Sequence, residues 1–242
     1  MPVAMITGGA SWFSRETTKL LLADGWYVVL GEINEKNLAE VLESIGDPRV
    51  TGGRLDVVDL SAVKAFADGI FRDFGSIDAL VNVAGGTNYL GMPRLPFHEM
   101  KPENWDLVLK PNLYGTLNCC HAVLPHMITG KRGSIVNISS GMGLRGTARM
   151  TTYSAAKAAI IGFTRALCQE VGQFNIRVNS IAPGSAESRW QPDVGKGGER
   201  MPPLGTRTSA RDVANAIHFL ISDRSSHMTG TCLDISGGTS LH

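Results

Sequence analysis

Tyr153 and Lys157 are the two residues whose types and spacing most clearly predict catalysis. They lie four positions apart in an apolar-periodic stretch, so a helix places the phenol and the ammonium group on one face. A free tyrosine has a pKa of about 10, which is too high for a base at neutral pH. A cation ~4 Å away, at an effective dielectric constant of ~20, favours the phenolate by ~4 kcal/mol, or roughly three pKa units. The lysine can therefore bring the pKa of the tyrosine close to neutral pH, where the phenol can give up or take back a proton.

Ser140 offers a hydroxyl group that could hold the oxygen atom of a substrate. It lies thirteen residues before Tyr153, at the end of a predicted strand. A tyrosine and a lysine at this spacing occur in many amphipathic helices, so the pair alone is a weak signal. Together with Ser140 and the strand ends described below, the pair becomes a strong one.

The stretches that must position these residues alternate between strand and helix patterns. Short apolar runs predict seven strands, at Val3–Ile6, Tyr27–Leu30, Arg49–Leu55, Ala79–Val83, Ser134–Ile138, Arg177–Ile181 and Leu233–Ile235. Periodic stretches between them predict helices at Arg15–Asp24, Lys36–Ile45, Ser61–Phe74, Trp105–Met127, Thr152–Gln173 and Ala210–Ile221. This alternation predicts an α/β fold, a Rossmann-type doubly wound parallel sheet of about seven strands with helices on both faces. The 242 residues suit one domain, 1–242, with the irregular segment 184–205 as a substrate loop.

Small or polar residues follow most of the predicted strands. In an open parallel sheet, ligands bind beyond the carboxyl ends of the strands. The residues found there are Thr7-Gly8-Gly9, Gly31-Glu32, Asp56-Val57, Asn82 to Gly86, Ser139-Ser140 and Pro183-Gly184. Such residues after six strands in order predict a ligand crevice rather than six unrelated turns.

Glu32 points to the identity of that ligand. It lies 24 residues after Gly8, at the end of the second strand. A carboxylate at this position accepts hydrogen bonds from an adenosine ribose and repels a 2′-phosphate, which predicts NAD rather than NADP. Arg15 is a counter-signal, because its guanidinium group could approach a 2′-phosphate.

Composition excludes several other classes of function. The chain has 23 Lys and Arg against 22 Asp and Glu, so its net charge of +1 predicts no nucleic-acid partner. No apolar stretch reaches the ~18 residues of a membrane span, and the first strand leaves no room for a secretory signal, which predicts a cytoplasmic protein. The six histidines are scattered and the four cysteines form no C-x-x-C pair, so we expect reduced thiols and no metal site.

Taken together, these motifs resemble the short-chain dehydrogenase/reductase family over nearly the whole chain. The residues that carry the resemblance are Thr7-Gly8, Glu32, Asp56-Val57, Asn82-x-Ala84-Gly85, Asn112, Ser139-Ser140, Tyr153-x-x-x-Lys157, Pro183-Gly184 and Ile235-Ser236-Gly237-Gly238. The resemblance implies an NAD(H)-dependent oxidoreductase that transfers hydride between a nicotinamide and a secondary alcohol or ketone.

The resemblance also implies a role for each catalytic residue. Tyr153 is expected to be the general acid and base, and Lys157 to lower its pKa and bind the nicotinamide ribose. Ser140 is expected to orient the carbonyl or alcohol oxygen. Asn112 is expected to anchor a water molecule that links Lys157 to solvent.

The implied cofactor contacts share positions at the carboxyl end of the sheet. Asp56 and Val57 are expected to flank the adenine, and Pro183-Gly184 to approach the nicotinamide. The full set is Gly8, Ser11, Trp12, Phe13, Glu32, Asp56, Val57, Asn82, Ala84, Gly85, Tyr153, Lys157, Pro183, Gly184 and Ser188.

Trp12 and Ser14 depart from the family pattern Thr-Gly-x-x-x-Gly-x-Gly, where both positions are glycine. Ser14 is small and can cap a helix. A positive φ at Trp12 would cost ~1–2 kcal/mol. The indole either turns outward or along the cofactor, or it fills the pyrophosphate site.

Two alternatives to the dehydrogenase follow if the indole of Trp12 fills the pyrophosphate site. One is a cofactor-free catalyst, dehalogenase-like or lyase-like, that uses Ser140 and Tyr153, and the other is a non-catalytic nucleotide-binding module. The halohydrin dehalogenases, a side branch resembling this family, fill the same region with aromatic residues and replace the active-site lysine with arginine. Because Lys157 is present here, we favour retained dinucleotide binding.

Residues of the predicted crevice loops also indicate the substrate and the assembly. Apolar and aromatic side chains there favour a small, hydrophobic or cyclic substrate; they are Tyr89, Met142, Leu144, Met150, Trp190 and Met201. In the family, the helices predicted at Trp105–Met127 and Thr152–Gln173 pair between subunits, which implies a homotetramer or dimer.

Overall fold

A computed structural model describes residues 1–87, 91, 93–185 and 201–240, and it contains all seven predicted strands. Their bounds are β1 Val3–Thr7, β2 Tyr27–Glu32, β3 Val50–Arg54, β4 Ala79–Asn82, β5 Gly133–Ile138, β6 Ile176–Pro183 and β7 Cys232–Ile235. They form one parallel sheet in the order β3-β2-β1-β4-β5-β6-β7. The predicted doubly wound α/β fold is therefore confirmed.

Eight α-helices connect the strands within the described residues. They are α1 Trp12–Ala23, α2 Glu35–Ile45, α3 Leu60–Phe74, α4 Glu103–Leu109, α5 Gly115–Gly130, α6 Gly141–Arg145, α7 Thr151–Val171 and α8 Ala210–Ile221. The short helix α6 was not predicted, because five residues are too few to show a periodic pattern.

The single helix predicted at Trp105–Met127 is wrong, because a π-helical turn at Lys110–Tyr114 separates α4 from α5. At the end of this turn, the N–H of Gly115 bonds to the carbonyl of Lys110, five residues earlier. Pro111 lies in the turn and has no N–H to continue the α-helical ladder. The proline was the available sequence signal for this interruption.

Helix α1 begins at Trp12 rather than at the predicted Arg15. Ser11 is the N-cap, and its hydroxyl accepts a hydrogen bond of 3.1 Å from the N–H of Ser14. Ser14 is therefore not the cap; its own hydroxyl donates to the carbonyl of Gly8 at 2.7 Å. The turn after β1 is shorter than the sequence suggested.

Apolar residues of the sheet pack into two cores, one on each face. Along β1, Val3 and Met5 face the core covered by α3, α5 and α7. Ala4 and Ile6 face the opposite core, which is covered by α1, α2 and α8. The strand order reverses between β1 and β4, so the connections leaving these strands diverge and open a crevice at their carboxyl ends.

Candidate active site

The turns after β1 and β4 touch each other at the reversal point. Gly8 has a φ of 65°, and a Cβ on it would lie 2.9 Å from the main-chain nitrogen of Ala84. That nitrogen donates a hydrogen bond of 3.2 Å to the hydroxyl of Thr7. Only glycine suits the left-handed backbone and the close contact at position 8.

Several N–H groups of the turn after β1 already have acceptors, in the turn itself or in β2. The N–H of Ser11 donates to the carbonyl of Gly8 at 3.0 Å, and that of Ala10 donates to Glu32 Oε2 at 3.1 Å. The N–H of Phe13, in the first turn of α1, has no acceptor among the described residues. It can therefore bind an anionic group at the positive end of the helix dipole.

Trp12 is the first residue of α1 and lies outside the positive-φ region. The backbone strain considered for this position is therefore absent. Its side chain is 38% exposed, so the indole is not packed into the protein core. This geometry agrees with an indole that turns outward or lies along a ligand.

Glu32 ends β2, and hydrogen bonds hold both of its carboxylate oxygens. Oε1 accepts from the N–H of Asn34 and Oε2 from that of Ala10, each at 3.1 Å. Each oxygen keeps lone-pair capacity for a further donor such as a ribose hydroxyl. On α1, the Nε of Arg15 is buried and has no acceptor in the described part of the chain.

Asp56 and Val57 form a rigid turn after β3. Asp56 Oδ1 accepts from the N–H of Val58 at 2.9 Å. The carbonyl of Val57 accepts from the side-chain amide of Asn118 on α5, also at 2.9 Å. These bonds hold the predicted adenine-flanking residues at the edge of the crevice.

The side chain of Asn82 is 2% exposed and lies on the face of the sheet that α5 covers, where it contacts Cys120. Its amide nitrogen donates to Asn137 Oδ1 at 2.9 Å, and Asn137 in turn donates to Thr164 Oγ1 at 3.0 Å. A contribution of this turn to cofactor binding must therefore come from the main chain, including that of Ala84 and Gly85.

Asn112 lies in the π-helical turn and is fully buried. Its side-chain amide accepts from the N–H of Gly86 at 2.8 Å and donates to the carbonyls of Gly86 and Val108 at 3.0 and 2.9 Å. The side chain thus clamps the turn after β4. The main-chain carbonyl of Asn112 accepts from Thr116 Oγ1 at 3.0 Å.

The two serines after β5 have different surroundings. Ser139 is buried, and its hydroxyl donates to the main-chain carbonyl of Lys157 at 2.7 Å. Ser140 is half-buried and caps α6, where its Oγ accepts from the N–H of Met142 at 3.2 Å. Ser139 anchors helix α7, and Ser140 is the more accessible hydroxyl of the two.

Lys157 and Tyr153 lie on one face of α7, as their spacing predicts. The Nζ of Lys157 is 5.6 Å from the centroid of the Tyr153 ring. It donates one hydrogen bond, of 2.8 Å, to the carbonyl of Ile138, and no other acceptor for it is found among the described residues. Burial lowers the pKa of Lys157 to about 7. Sequence reasoning missed Ile138 because a main-chain acceptor carries no residue-type signal.

Strand β6 continues to Pro183, two residues beyond the predicted end at Ile181, so only Gly184 of the predicted pair follows the strand. The N–H of Gly184 donates to the carbonyl of Ile235 at 3.0 Å, which holds this turn against the end of β7. Ser188 and Trp190 lie outside the described residues, as does Tyr89. Met150 is only 3% exposed, so it packs in the interior rather than lining an open pocket, whereas Met201 is 52% exposed.

Neither a metal centre nor a membrane span emerges from the described ranges. There, no cluster of three or more His, Cys, Asp or Glu residues is suited to hold a metal ion. In the same ranges, no helix combines the length and the apolar character needed to cross a bilayer.

Comparison with known proteins agrees with this geometry. The sequence profile of the family described as short chain dehydrogenase matches residues 2–197. The chain is 38% identical to a 3-oxoacyl-[acyl-carrier-protein] reductase, FabG, of Thermotoga maritima, over 98% of this chain and 96% of that protein. It is 36% identical to a cis-4-hydroxycyclohexanecarboxylate dehydrogenase of Sinomonas cyclohexanicum, over 98% and 95% of the two chains.

The fold is also shared with a solved structure of an NAD+-bound xylitol dehydrogenase. The TM-score is 0.89 at 29% sequence identity, and the alignment covers 98% of each chain. The profile match, the relatives and the parallel sheet with its Tyr153–Lys157 pair all lead to one assignment: the chain belongs to the short-chain dehydrogenase family of oxidoreductases.

Proposed function

We propose that this protein transfers hydride between NAD(H) and a secondary alcohol or ketone, with Tyr153 as the general acid and base. The observation that supports this most is that Lys157 is buried with a single hydrogen bond among the described residues. A buried ammonium group with one hydrogen bond, 5.6 Å from the Tyr153 ring, has capacity for further acceptors from bound ligands. Burial of such a group is costly, which is typical of functional sites.

The residues of the crevice fit a dinucleotide. The unpaired N–H of Phe13 suits a phosphate oxygen, and the carboxylate of Glu32 suits the adenosine ribose. Asp56 and Val57 would flank the adenine, and Gly184 would approach the nicotinamide. The remaining contacts that we propose are Gly8, Ser11, Trp12, Asn82, Ala84, Gly85, Tyr153, Lys157, Pro183 and Ser188.

When bound, the nicotinamide would supply a hydride donor or acceptor. The protein residues would then handle the oxygen and its proton. In reduction, the hydroxyl of Tyr153 donates its proton to the substrate oxygen, while the hydroxyl of Ser140 donates a hydrogen bond to that oxygen. In oxidation, the phenolate of Tyr153 takes the proton back. The ammonium group of Lys157 stabilises the phenolate, and the carbonyl of Asn112 anchors a water molecule next to Lys157.

The preference for NAD over NADP rests on Glu32. Its carboxylate is held by two main-chain N–H groups and is not free to swing away from an added phosphate. A 2′-phosphate at this position would meet a fixed negative charge. Arg15, with its buried and unpaired Nε, is the group that would favour the phosphate instead, so the two residues make opposite predictions.

The substrate class that we propose follows from the chemistry shared by the relatives. Their names specify a 3-oxoacyl group, a hydroxycyclohexanecarboxylate and xylitol, and each contains a ketone or a secondary alcohol. A small, hydrophobic or cyclic secondary alcohol would suit Met142 and Leu144, which are half-buried on α6.

We also propose a homo-oligomer, a tetramer or dimer, that acts in the cytoplasm. The outer face of α7 presents exposed small residues, Ala155, Ala158, Ala159 and Gly162. Beside it, an apolar groove of about 490 Å³ lies between α4 and α7. Small residues allow close approach of a second helix, and the groove offers apolar surface to bury.

Titration of the purified protein with NADH and with NADPH, followed by calorimetry, is the first test. We expect micromolar binding of NADH and binding of NADPH that is weaker by about tenfold or more. A panel of cyclic and acyclic secondary alcohols and ketones would then be screened for an absorbance change at 340 nm.

Each outcome of this test separates the proposal from its alternatives. Absence of binding for both nucleotides, with halide release from a vicinal haloalcohol, would favour cofactor-free chemistry at Ser140 and Tyr153. NADH binding without turnover over the whole panel would favour a nucleotide-binding module.

A further inference from the structure

The turn Ser236–Ser240 follows β7 and is closed by its own hydrogen bonds; we call it the C-terminal turn. The N–H of Ser240 donates to Ser236 Oγ at 3.2 Å, and Thr239 Oγ1 donates to the carbonyl of Ser236 at 3.1 Å. Ser236 and Ser240 are 1% and 2% exposed.

One contact of the C-terminal turn reaches the residue that follows Ser140. Gly141 is the first residue of α6, and a Cβ atom on it would overlap Ser240 Oγ. The Cβ of Ser240 itself would be 3.7 Å from that added atom, which is an ordinary contact distance. The hydroxyl group of Ser240 therefore abuts the backbone whose position sets the direction of the Ser140 side chain.

A second contact reaches the end of β6. A Cβ on Gly184 would lie 2.8 Å from the Cα of Ser236, so the two main chains are in close contact. A third contact reaches the segment before α8. There the N–H of Leu204 donates to the carbonyl of Gly237 at 3.3 Å. The C-terminal turn thus adjoins the α6 start, the β6 end and Leu204 at once.

We propose that the C-terminal turn is a positioning element for the active site, and that Ser240 holds the start of α6 so that Ser140 reaches the substrate oxygen. Ser240 acts through Gly141 and Ser140, so it is a positioning residue. This inference rests on the proposed function, because it assigns to Ser140 a role in the hydride-transfer reaction.

A double-mutant cycle on Gly141 and Ser240 tests the inference. Gly141→Ala adds the atom that overlaps the Ser240 hydroxyl, and Ser240→Ala removes that hydroxyl but keeps its Cβ. We expect Gly141→Ala to lower kcat by about tenfold or more through displacement of Ser140, with the Kd for NADH within about threefold of the parent. Ser240→Ala alone should also lower kcat, because the hydroxyl that supports the start of α6 is lost. The variant carrying both substitutions should recover most of the lost kcat, because the added methyl group of residue 141 then fills the space of the removed hydroxyl.

Gly69→Ala on α3 is the matched control. It adds the same methyl group to a helix far from the crevice, where the nearest atom would be 3.7 Å away at Arg72. We expect its kcat and its Kd for NADH to equal those of the parent. The free energy of unfolding of all variants, from urea titrations, reports the contact independently of activity.

The possible results separate this inference from the proposed function. Recovery of unfolding free energy in the double variant, without recovery of kcat, would show that the two residues touch but that the turn does not position Ser140. Equal kcat for Gly141→Ala and the parent would overturn the positioning role directly. No turnover by the parent itself would overturn the proposed function and the positioning role with it, while the unfolding data would still report whether the contact exists.

Discussion

The ammonium nitrogen of Lys157 donates a hydrogen bond of 2.8 Å to the main-chain carbonyl of Ile138. This bond ties helix α7, which carries Tyr153, to the last residue of strand β5. The carbonyl compensates only part of the lost hydration of the charge, and burial lowers the pKa of Lys157 to about 7. The protonation of this residue is therefore coupled to the stability of the fold and, in the proposed function, to proton transfer at Tyr153.

The stability of the protein is expected to depend on pH through Lys157. Its folded pKa is about 7, and an unfolded lysine titrates at about 10.4. Between these values the unfolded chain binds more protons at this site, so the free energy of unfolding should rise with pH, by at most ~1.4 kcal/mol per pH unit. Below both pKa values Lys157 is protonated in the folded and the unfolded state, so the free energy of unfolding carries the full cost of burying the charge and no longer changes with pH through this residue.

Urea titrations of the parent and of Lys157→Met between pH 7 and about 8.5 measure this effect. Unfolded cysteine thiols, whose ordinary pKa is about 8.5, titrate in the upper part of this range, while burial raises the pKa of Cys119 and Cys120 in the folded protein. Both proteins share these thiols, so the difference between the two slopes isolates Lys157. The variant should lose the part of the slope that belongs to Lys157. Equal slopes for the two proteins would contradict a depressed lysine pKa.

Replacement of Tyr153 by phenylalanine should separate catalysis from cofactor binding. The ring that faces Lys157 is retained, but the proton donor and acceptor is lost. We expect kcat to fall by about 10²–10⁴-fold, with the Kd for NADH within about threefold of the parent. Stopped-flow absorbance at 340 nm gives the first quantity and calorimetry the second.

Tyr114→Phe is the control, since Tyr114 is 56% exposed at the end of the π-helical turn. Its kinetics should match those of the parent. A Tyr153→Phe enzyme that retained more than about a tenth of the parent kcat would remove Tyr153 from the role of general acid and base.

Substitution of Glu32 by glutamine should change nucleotide preference. The amide keeps an oxygen acceptor for a main-chain N–H but loses the negative charge. We expect the ratio of the Kd values for NADPH and NADH to fall by about tenfold, which corresponds to about 1.4 kcal/mol. Glu35→Gln removes the same charge from an exposed position three residues later and should leave the ratio unchanged.

Replacement of Trp12 by glycine tests whether the indole obstructs the diphosphate. The side chain is exposed and the backbone helical, so we expect the Kd for NADH to stay within about fivefold of the parent. Loss of helix propensity should cost at most ~1 kcal/mol of unfolding free energy. The Kd is measured by titration with NADH, followed by tryptophan fluorescence. Trp26→Phe is the control, because it removes a tryptophan just before β2, at the opposite end of the sheet. Binding of NADH that became tenfold tighter in Trp12→Gly would instead identify the indole as a plug.

Introduction of arginine at Ala159 should break the proposed assembly. Ala159 is exposed on the outer face of α7, so the folded monomer can accommodate the larger side chain. Light scattering should show a smaller particle than the parent, because a desolvated charge at the centre of an interface is costly. Ala65→Arg on the exposed side of α3 should keep the parental mass. A parent that is already monomeric, or an Ala159→Arg protein of unchanged mass, would exclude this face as the interface.

The sequence was sufficient for the strands and for the pairing of Tyr153 with Lys157, because both depend on local spacing. Alternation of apolar runs predicted both ends of all seven strands to within two residues. It was not sufficient for contacts that join a side chain to a distant main-chain group. The Lys157–Ile138 bond spans 19 positions and the Asn112–Gly86 bonds span 26, and in each the main-chain partner has no residue-type signature.

The start of α1 shows a second limit of sequence reasoning. Ser11 and Ser14 are both able to cap a helix, and only the structure distinguishes them. Trp12 in place of a glycine suggested backbone strain, yet the earlier cap at Ser11 gives this residue an ordinary helical conformation. A departure from a family motif can thus be absorbed by a shift of a helix boundary, which residue types alone do not reveal.

The contact between Gly8 and Ala84 bears on how this protein can change over evolutionary time. The obstacle to a side chain at position 8 is the main chain of Ala84, which every amino acid shares. Replacement of the side chain at position 84 does not remove these main-chain atoms, so a second mutation there would not make a side chain at position 8 acceptable. We therefore expect Gly8 to stay glycine over evolutionary time, whereas other positions of the turn, including Trp12, can accept substitutions.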